Sequence, residues 1–215
     1  MPYHFSPLPG RVRFDVRDCV AAIAARYRAR IDSAPEDGLS EELRKVLTLL
    51  PEVGVVETDN LFGDPAHAAR EFINAALAPG KGVADVLHAL SGVSTLLPWR
   101  YNYEPRKDRP GLENRMAWAE FIGPEAPIHS DKVSLGVTLI GPHTQYPAHH
   151  HPAVESYFVL SGTATWTKDG IARKLPHGSF VLHPANVVHS METGDEPLLA
   201  AYTWTGDIET LSIYD

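Results

Sequence analysis

Apolar positions fall into two regimes along the chain. In the first, Val16, Val20, Ile23, Tyr27 and Ile31 recur every three or four residues, which is the spacing of one helical face and predicts a helix from about Asp15. Leu43, Val46, Leu47 and Leu50 form a second stripe. Ser40 reads as its N-cap, Glu41 and Glu42 suit the positive end of the helix dipole, and Pro51 stops it. Asp64-Pro65 marks a third start, an N-cap with proline at the first helical position; Phe72, Ile73, Ala76 and Leu77 supply the stripe and Pro79-Gly80 the end. A short fourth helix is expected from Val83 to Leu90, closing at Ser91-Gly92.

From about Arg115 the period changes. Met116–Phe121, Val133–Ile140, Ser156–Leu160, Thr163–Thr167, Phe180–Leu182, Val187–Met191 and Leu198–Trp204 are short, β-branched and aromatic, and Gly or Pro separates most of them. Many short strands at near-regular spacing predict an all-β barrel or sandwich. The segment Trp99–Gly111 is polar, aromatic and proline-containing, and reads as a connector. The expected organisation is mainly β with a helical N-terminal half: residues 1–112 packed on a β-barrel formed by residues 113–215.

Composition narrows the function. The 215 residues are 44% hydrophobic and 21% charged, which excludes a disordered or collagen-like chain. The net charge of -8, with no basic block, argues against nucleic acid and anionic membrane, both of which need a positive footprint. Cys19 is the single cysteine, so an internal disulfide and a multi-Cys zinc site are excluded; its place on an apolar helical pattern predicts burial. No apolar run of about 18 residues is present to span a bilayer, and the N-terminus lacks the charged-then-apolar order of a signal peptide. A cytoplasmic protein is expected.

The unusual residue is histidine: 11 in all, of which His143, His149, His150, His151, His177, His183 and His189 crowd one stretch. On a strand, side chains alternate, so His149 and His151 share a face and His150 takes the other. If extended pairing continues, Glu155, Tyr157 and Val159 share the face of His149 and His151, and two imidazoles and a carboxylate converge from one strand pair. Such donors suit one divalent transition metal, Fe2+, Zn2+, Mn2+, Ni2+ or Co2+, and leave coordination positions open. His189, behind Gly178, Pro184 and a turn-like Ala185-Asn186, is the candidate fourth ligand. His183 is either a hydrogen-bonding partner of the ligands or a surface residue, and His150 is read as structural.

His149-x-His151-x3-Glu155-x6-Gly162 resembles the first motif of the cupins, and Gly178-x5-Pro184-x4-His189 the second. Two positions depart from the pattern: the opening glycine of the first motif lies further upstream, at Gly141, and Ser179 replaces the usual Asp. The resemblance implies a cupin (double-stranded β-helix, jelly-roll) barrel with His149, His151, Glu155 and His189 on one metal ion. Tyr157 completes an HxHxxxExY pattern that, with Tyr146 and the helical segment ahead of a terminal cupin, resembles the cupin-type dimethylsulfoniopropionate lyases, the DddL/DddQ group. That resemblance implies a carbon–sulfur lyase acting on a small sulfonium carboxylate, with Tyr157 as base and Tyr146 orienting substrate or sharing the proton. The late strand puts Tyr202 and Trp204 on one face, where aromatic rings suit a sulfonium, and the resemblance points to Trp204 in particular; Trp166 and the Trp99, Tyr101 and Tyr103 cluster are weaker candidates. Two other readings stay open, a cupin Fe(II) dioxygenase on the same ligands and a non-catalytic cupin binding a small carboxylate. A homodimer is a further expectation.

Overall fold

A computed structural model describes residues 12–33, 36–58, 64 and 66–215. The first half carries α1 (Arg17–Ser33), α2 (Gly38–Leu49), the one-turn α3 (Ile73–Ala76) and α4 (Ala84–Val93), with β1 (Val12–Phe14) and β2 (Val56–Thr58) paired in a small antiparallel ribbon. Val16, Val20, Ile23 and Tyr27 are buried, as their spacing predicts, and Cys19 is fully buried among them.

The caps differ from expectation. Asp37, not Ser40, caps α2: its carboxylate accepts the Ser40 N–H at 2.7 Å, and Arg30 of α1 binds both the Ser40 hydroxyl and the Asp37 carboxylate. The Asp37 carboxylate thus caps α2 with one oxygen and pairs with α1 through the other. Pro65 lies outside the described residues. The helical turn expected there begins later, where His67 Nδ1 accepts the Ala69 N–H at 3.2 Å, and runs as a tight turn, Ala68–Phe72, into α3. α4 continues past Ser91-Gly92 to Val93 because its buried Val86, Leu87 and Leu90 hold it against the sheet.

Twelve strands follow: β3 (Trp99–Arg100), β4 (Met116–Gly123), β5 (Ile128–His129), β6 (Val133–Ile140), β7 (Gln145–His150), β8 (Val154–Ser161), β9 (Thr163–Lys168), β10 (Ile171–Pro176), β11 (Phe180–His183), β12 (His189–Thr193), β13 (Leu198–Thr205) and β14 (Ile213–Tyr214). One sheet has the order β11-β8-β13-β6-β4-β3, with β5 added in parallel on β4; the other has the order β10-β9-β12-β7-β14. The expected β-rich C-terminal half is present as a cupin-like sandwich: the two sheets face each other without sharing a hydrogen-bonded strand. β3 belongs to the so-called connector, so the larger sheet recruits a strand from before residue 113.

Burial explains the sequence pattern. The larger sheet is covered on one side by the helices, through Ala119, Phe121, Leu135, Val137, Phe158 and Leu160, and on the other by the second sheet, through Tyr157, Val159, Ala200 and Tyr202. A strand buried on both faces reads as a continuous apolar run, and β6, VSLGVTLI, is buried at every position. β10 was not legible because it is an edge strand, almost wholly exposed, with no alternation to read.

Candidate metal centre

His149 and Tyr146 both stand on β7, three residues apart, where strict alternation would send them to opposite faces. Across the ladder His149 pairs with His189 while Tyr146 pairs with Met191, so three steps of β7 match two of β12. That is a bulge at Pro147-Ala148, at a residue that has no N–H to give a ladder. The extra residue returns Tyr146 to the inward side, and its ring stacks on His149 at 4.0 Å and 16°.

Extended pairing does not continue from His149 to Glu155, so His149, His151 and Glu155 do not converge from one strand pair as expected. His151 lies just past the end of β7, and His151-Pro152-Ala153 carry the chain from the smaller sheet to the larger, where β8 begins at Val154. Glu155 therefore meets the histidines from the opposing sheet. The corner is pinned by the Asn186 N–H, which donates to the His151 carbonyl at 2.8 Å, with Asn186 in the left-handed region at φ +62°. The turn ahead of His189 is thus fastened to the turn beyond His149.

All four are buried. The Nδ1–H groups of His149, His151 and His189 donate to the carbonyls of Pro147, Ala153 and Val187 at 2.8, 3.0 and 2.8 Å. Each ring is thereby held in one tautomer, with the Nε2 lone pair free. Ring nitrogens of the three lie within 4.8 Å of one another, and Glu155 Oε2 is 3.2 Å from His151 Nε2 and 3.1 Å from His189 Nε2. Donors bound at about 2.0–2.2 Å to one ion stand about 3 Å apart, which the two Glu155 separations match. Lone pairs turned on a carboxylate in a dry interior repel unless positive charge lies among them, and His189 Nε2 has no hydrogen-bond partner. The residues fit a divalent metal.

Glu155 is fixed from two further sides. Its Oε1 accepts the Trp204 indole N–H at 2.7 Å, and His183 Nδ1 is 3.3 Å from Oε2. His183, cross-strand neighbour of Glu155 on β11, is buried, not a surface residue, and its ring stacks on His189 at 3.8 Å. Only the strand register reveals that role. Burial alone would raise the Glu155 carboxyl, but positive charge at His151, with the His183 and His189 rings beside it, holds it well below the usual range; with the rings neutral, a metal ion on their Nε2 atoms would supply that positive charge instead. His150 turns away and pairs with Asp215 at 2.8 Å.

Tyr157 points inward two residues beyond Glu155, opposite Tyr202 on β13. Burial, reinforced by the Glu155 charge, pushes its phenol well above the ordinary value, against a hydrogen bond with Thr138. Tyr146 is also pushed up by burial, and its hydroxyl is 2.5 Å from that of Tyr103. A cavity of about 710 Å³ joins Tyr146, His149, Glu155, Tyr157, Tyr202 and Trp204. Its remaining wall holds residues that sequence reasoning had missed or rated low: Tyr101 and Tyr103 from the connector, Trp118 and Glu120 from β4, and Thr138. Trp166 packs on Tyr157 at 4.8 Å without lining the cavity, and Trp99 is buried between helices and sheet.

A two-sheet cupin fold whose interior gathers a His/Glu cluster able to hold a metal ion is the class these features define. The sequence model of the dimethylsulfoniopropionate lyases matches residues 64–200, and the chain belongs to that family. It is 37% identical over 132 residues to the putative dimethylsulfoniopropionate lyase DddL of Cereibacter sphaeroides, a match covering 60% of this chain and 55% of that protein. With the dimethylsulfoniopropionate lyase DddQ of Ruegeria pomeroyi it shares 32% over 131 residues, covering 60% and 65%. The match therefore spans less than two thirds of either curated relative. The crystal structure of the Ruegeria pomeroyi DddQ superposes with a TM-score of 0.72 at 25% identity, covering 93% of this chain and 95% of that one. Among the described residues no helix is long and apolar enough to cross a membrane.

Proposed function

We propose that the protein is a carbon–sulfur lyase that cleaves dimethylsulfoniopropionate by β-elimination to dimethyl sulfide and acrylate. The observation that carries this reading is the buried phenol of Tyr157 on the inward face of β8, in one cavity with Glu155 and His149. A binder has no need of a base there. The family membership supplies the substrate class.

His149, His151, Glu155 and His189 are the residues that would hold one divalent ion, Fe2+, Zn2+, Mn2+, Ni2+ or Co2+; when bound it supplies Lewis-acid polarisation of the substrate carboxylate. Tyr157 takes the proton from the carbon next to that carboxylate. The C–H electron pair becomes the new C=C bond, the C–S bond breaks, and dimethyl sulfide leaves with its electron pair as a neutral molecule, so no acid is required at sulfur. A phenolate buried beside Glu155 needs positive charge nearby to persist, and once formed it is a strong base, since burial raises its proton affinity. Thr138 fixes the phenol's direction. Tyr146, braced by Tyr103 and stacked on His149, borders the substrate from the opposing sheet.

The test is headspace detection of dimethyl sulfide from metal-loaded protein given the substrate without oxygen. Tyr157→Phe is expected to lose about 10²–10⁴-fold in rate, the usual contribution of a general base, with metal content unchanged. Near wild-type acrylate formation by that variant would remove Tyr157 as base. A requirement for oxygen would move the protein to the dioxygenase reading.

A further inference from the structure

The inward face of the larger sheet arranges the cavity in order. Across it, Tyr157 on β8 pairs with Tyr202 on β13, Tyr202 pairs with Gly136 on β6, and Gly136 pairs with Glu120 on β4. One step along, Thr138 on β6 pairs with Trp118 on β4. The base and the Glu155 donor therefore share β8 at one end of the cavity, and Trp118 and Glu120 stand on β4 at the other. β4 lies three strand spacings from β8, about 14 Å, a span filled by a metal–carboxylate contact, a three-carbon chain and a van der Waals contact.

That far end suits a cation twice over. Trp118, Tyr101 and Tyr103 form a recess of rings, with centroids of Tyr101 and Tyr103 at 5.9 and 5.6 Å from Trp118, and all three line the cavity. The tyrosine hydroxyls are engaged elsewhere, Tyr101 with Tyr214 at 3.1 Å and Tyr103 with Tyr146. Two carboxylates, Glu120 and Glu125, share one guanidinium, Arg100, at this end. Space is reserved for Glu120. A Cβ on Gly123 would lie 2.5 Å from its carboxylate, and a Cβ on Gly136 would lie 2.8 Å from the Tyr202 ring that leans across β6, where the Tyr202 hydroxyl donates to Glu120 at 3.4 Å. Arg100 holds the other Glu120 oxygen at 2.9 Å.

We propose that the face of Trp118 and the carboxylate of Glu120 receive the onium end of the substrate and set the preference for a charged over an uncharged leaving group. This rests on the elimination reading for the substrate's identity. It differs from the expectation that Trp204, which also lines the cavity with its N–H on Glu155 and its ring on His151 at 4.3 Å, receives the sulfonium. A cation against an aromatic face and an incompletely neutralised carboxylate gains from both, more so where water is excluded.

The experiment compares binding of two non-reacting probes to the metal-loaded protein: the trimethylammonium analogue of the substrate and its uncharged tert-butyl isostere. Wild type is expected to prefer the charged probe by about tenfold or more. Glu120→Gln and Trp118→Leu each reduce that preference to about threefold or less, while Trp118→Phe, which keeps a ring, retains most of it; melting curves certify the fold, and Glu120→Gln and Trp118→Phe decide the matter if Trp118→Leu fails to fold. An unchanged preference in both Glu120→Gln and Trp118→Leu overturns the proposal. So does tighter binding by a dicarboxylate of equal length, which would show Arg100, whose Nε lacks an acceptor, facing the ligand. Dimethyl sulfide release is measured on the same samples. Release without charge preference defeats the subsite alone, and charge preference without release defeats the elimination reading alone.

Discussion

Replacing Trp204 by Phe isolates one hydrogen bond at the metal centre. The indole N–H is 2.7 Å from Glu155 Oε1, and the ring rests on His151 at 4.3 Å and 31°. Phenylalanine keeps a ring over His151 and removes only the donor. A hydrogen bond to an ionised carboxylate contributes about 1.5–3 kcal/mol, and a tenfold change in a constant corresponds to about 1.4 kcal/mol. Metal affinity should therefore fall by about 10- to 100-fold, the range seen when outer partners of metal ligands are removed. Trp166→Phe is the internal control: its indole N–H is buried without a partner, so deleting it breaks no hydrogen bond although the ring packs on Tyr157. Competition with a chromophoric chelator, using Zn2+ or Co2+, reads both constants. If Trp204→Phe binds as tightly as wild type, or if Trp166→Phe weakens binding equally, Glu155 is not held by the indole and the reasoning from this geometry fails.

Two further outcomes follow from the join between helices and sheet. A Cβ on Gly82 would lie 2.0 Å from the Leu160 carbonyl, where the Val83 N–H bonds β8 at 2.8 Å; Gly82→Ala should therefore cost about 1–3 kcal/mol, lowering Tm by about 2–4 °C for each kcal/mol, and an unchanged calorimetric Tm would show that α4 is not held this way. Burial pushes the Cys19 thiol up to about 12, so at pH 8 it stays protonated and unreactive; maleimide should label it only after denaturation, and rapid labelling of the native protein would contradict its place in the core.

How much was legible varies with how local the cause is. The stripes of α1 and α2 follow from side-chain spacing alone, and each of the seven expected strands appears with its ends moved by two residues or fewer. Caps were less legible: Asp37 caps α2 and is also paired with Arg30 of another helix, a contact that no local pattern shows. Tyr101 and Tyr103 read as part of a connector because nothing local shows that β3 joins the sheet edge and brings them to the cavity. His183 was ambiguous for the same reason, since its tie to Glu155 depends on the pairing of β11 with β8.

The donor chemistry was written in the chain. Imidazoles at 149, 151 and 189, a carboxylate at 155 and a phenol two residues on are residue types and spacings, and alternation along β8 suffices to put Glu155 and Tyr157 on one face. Their convergence was not written there. It needs a bulge at Pro147-Ala148 to bring Tyr146 and His149 to the same side, a corner at His151-Pro152-Ala153 to pass the chain between sheets, and β12 laid against β7. Each of these is set by packing between segments distant in sequence, and a one-dimensional pattern carries no information about which face of one sheet will meet which face of another.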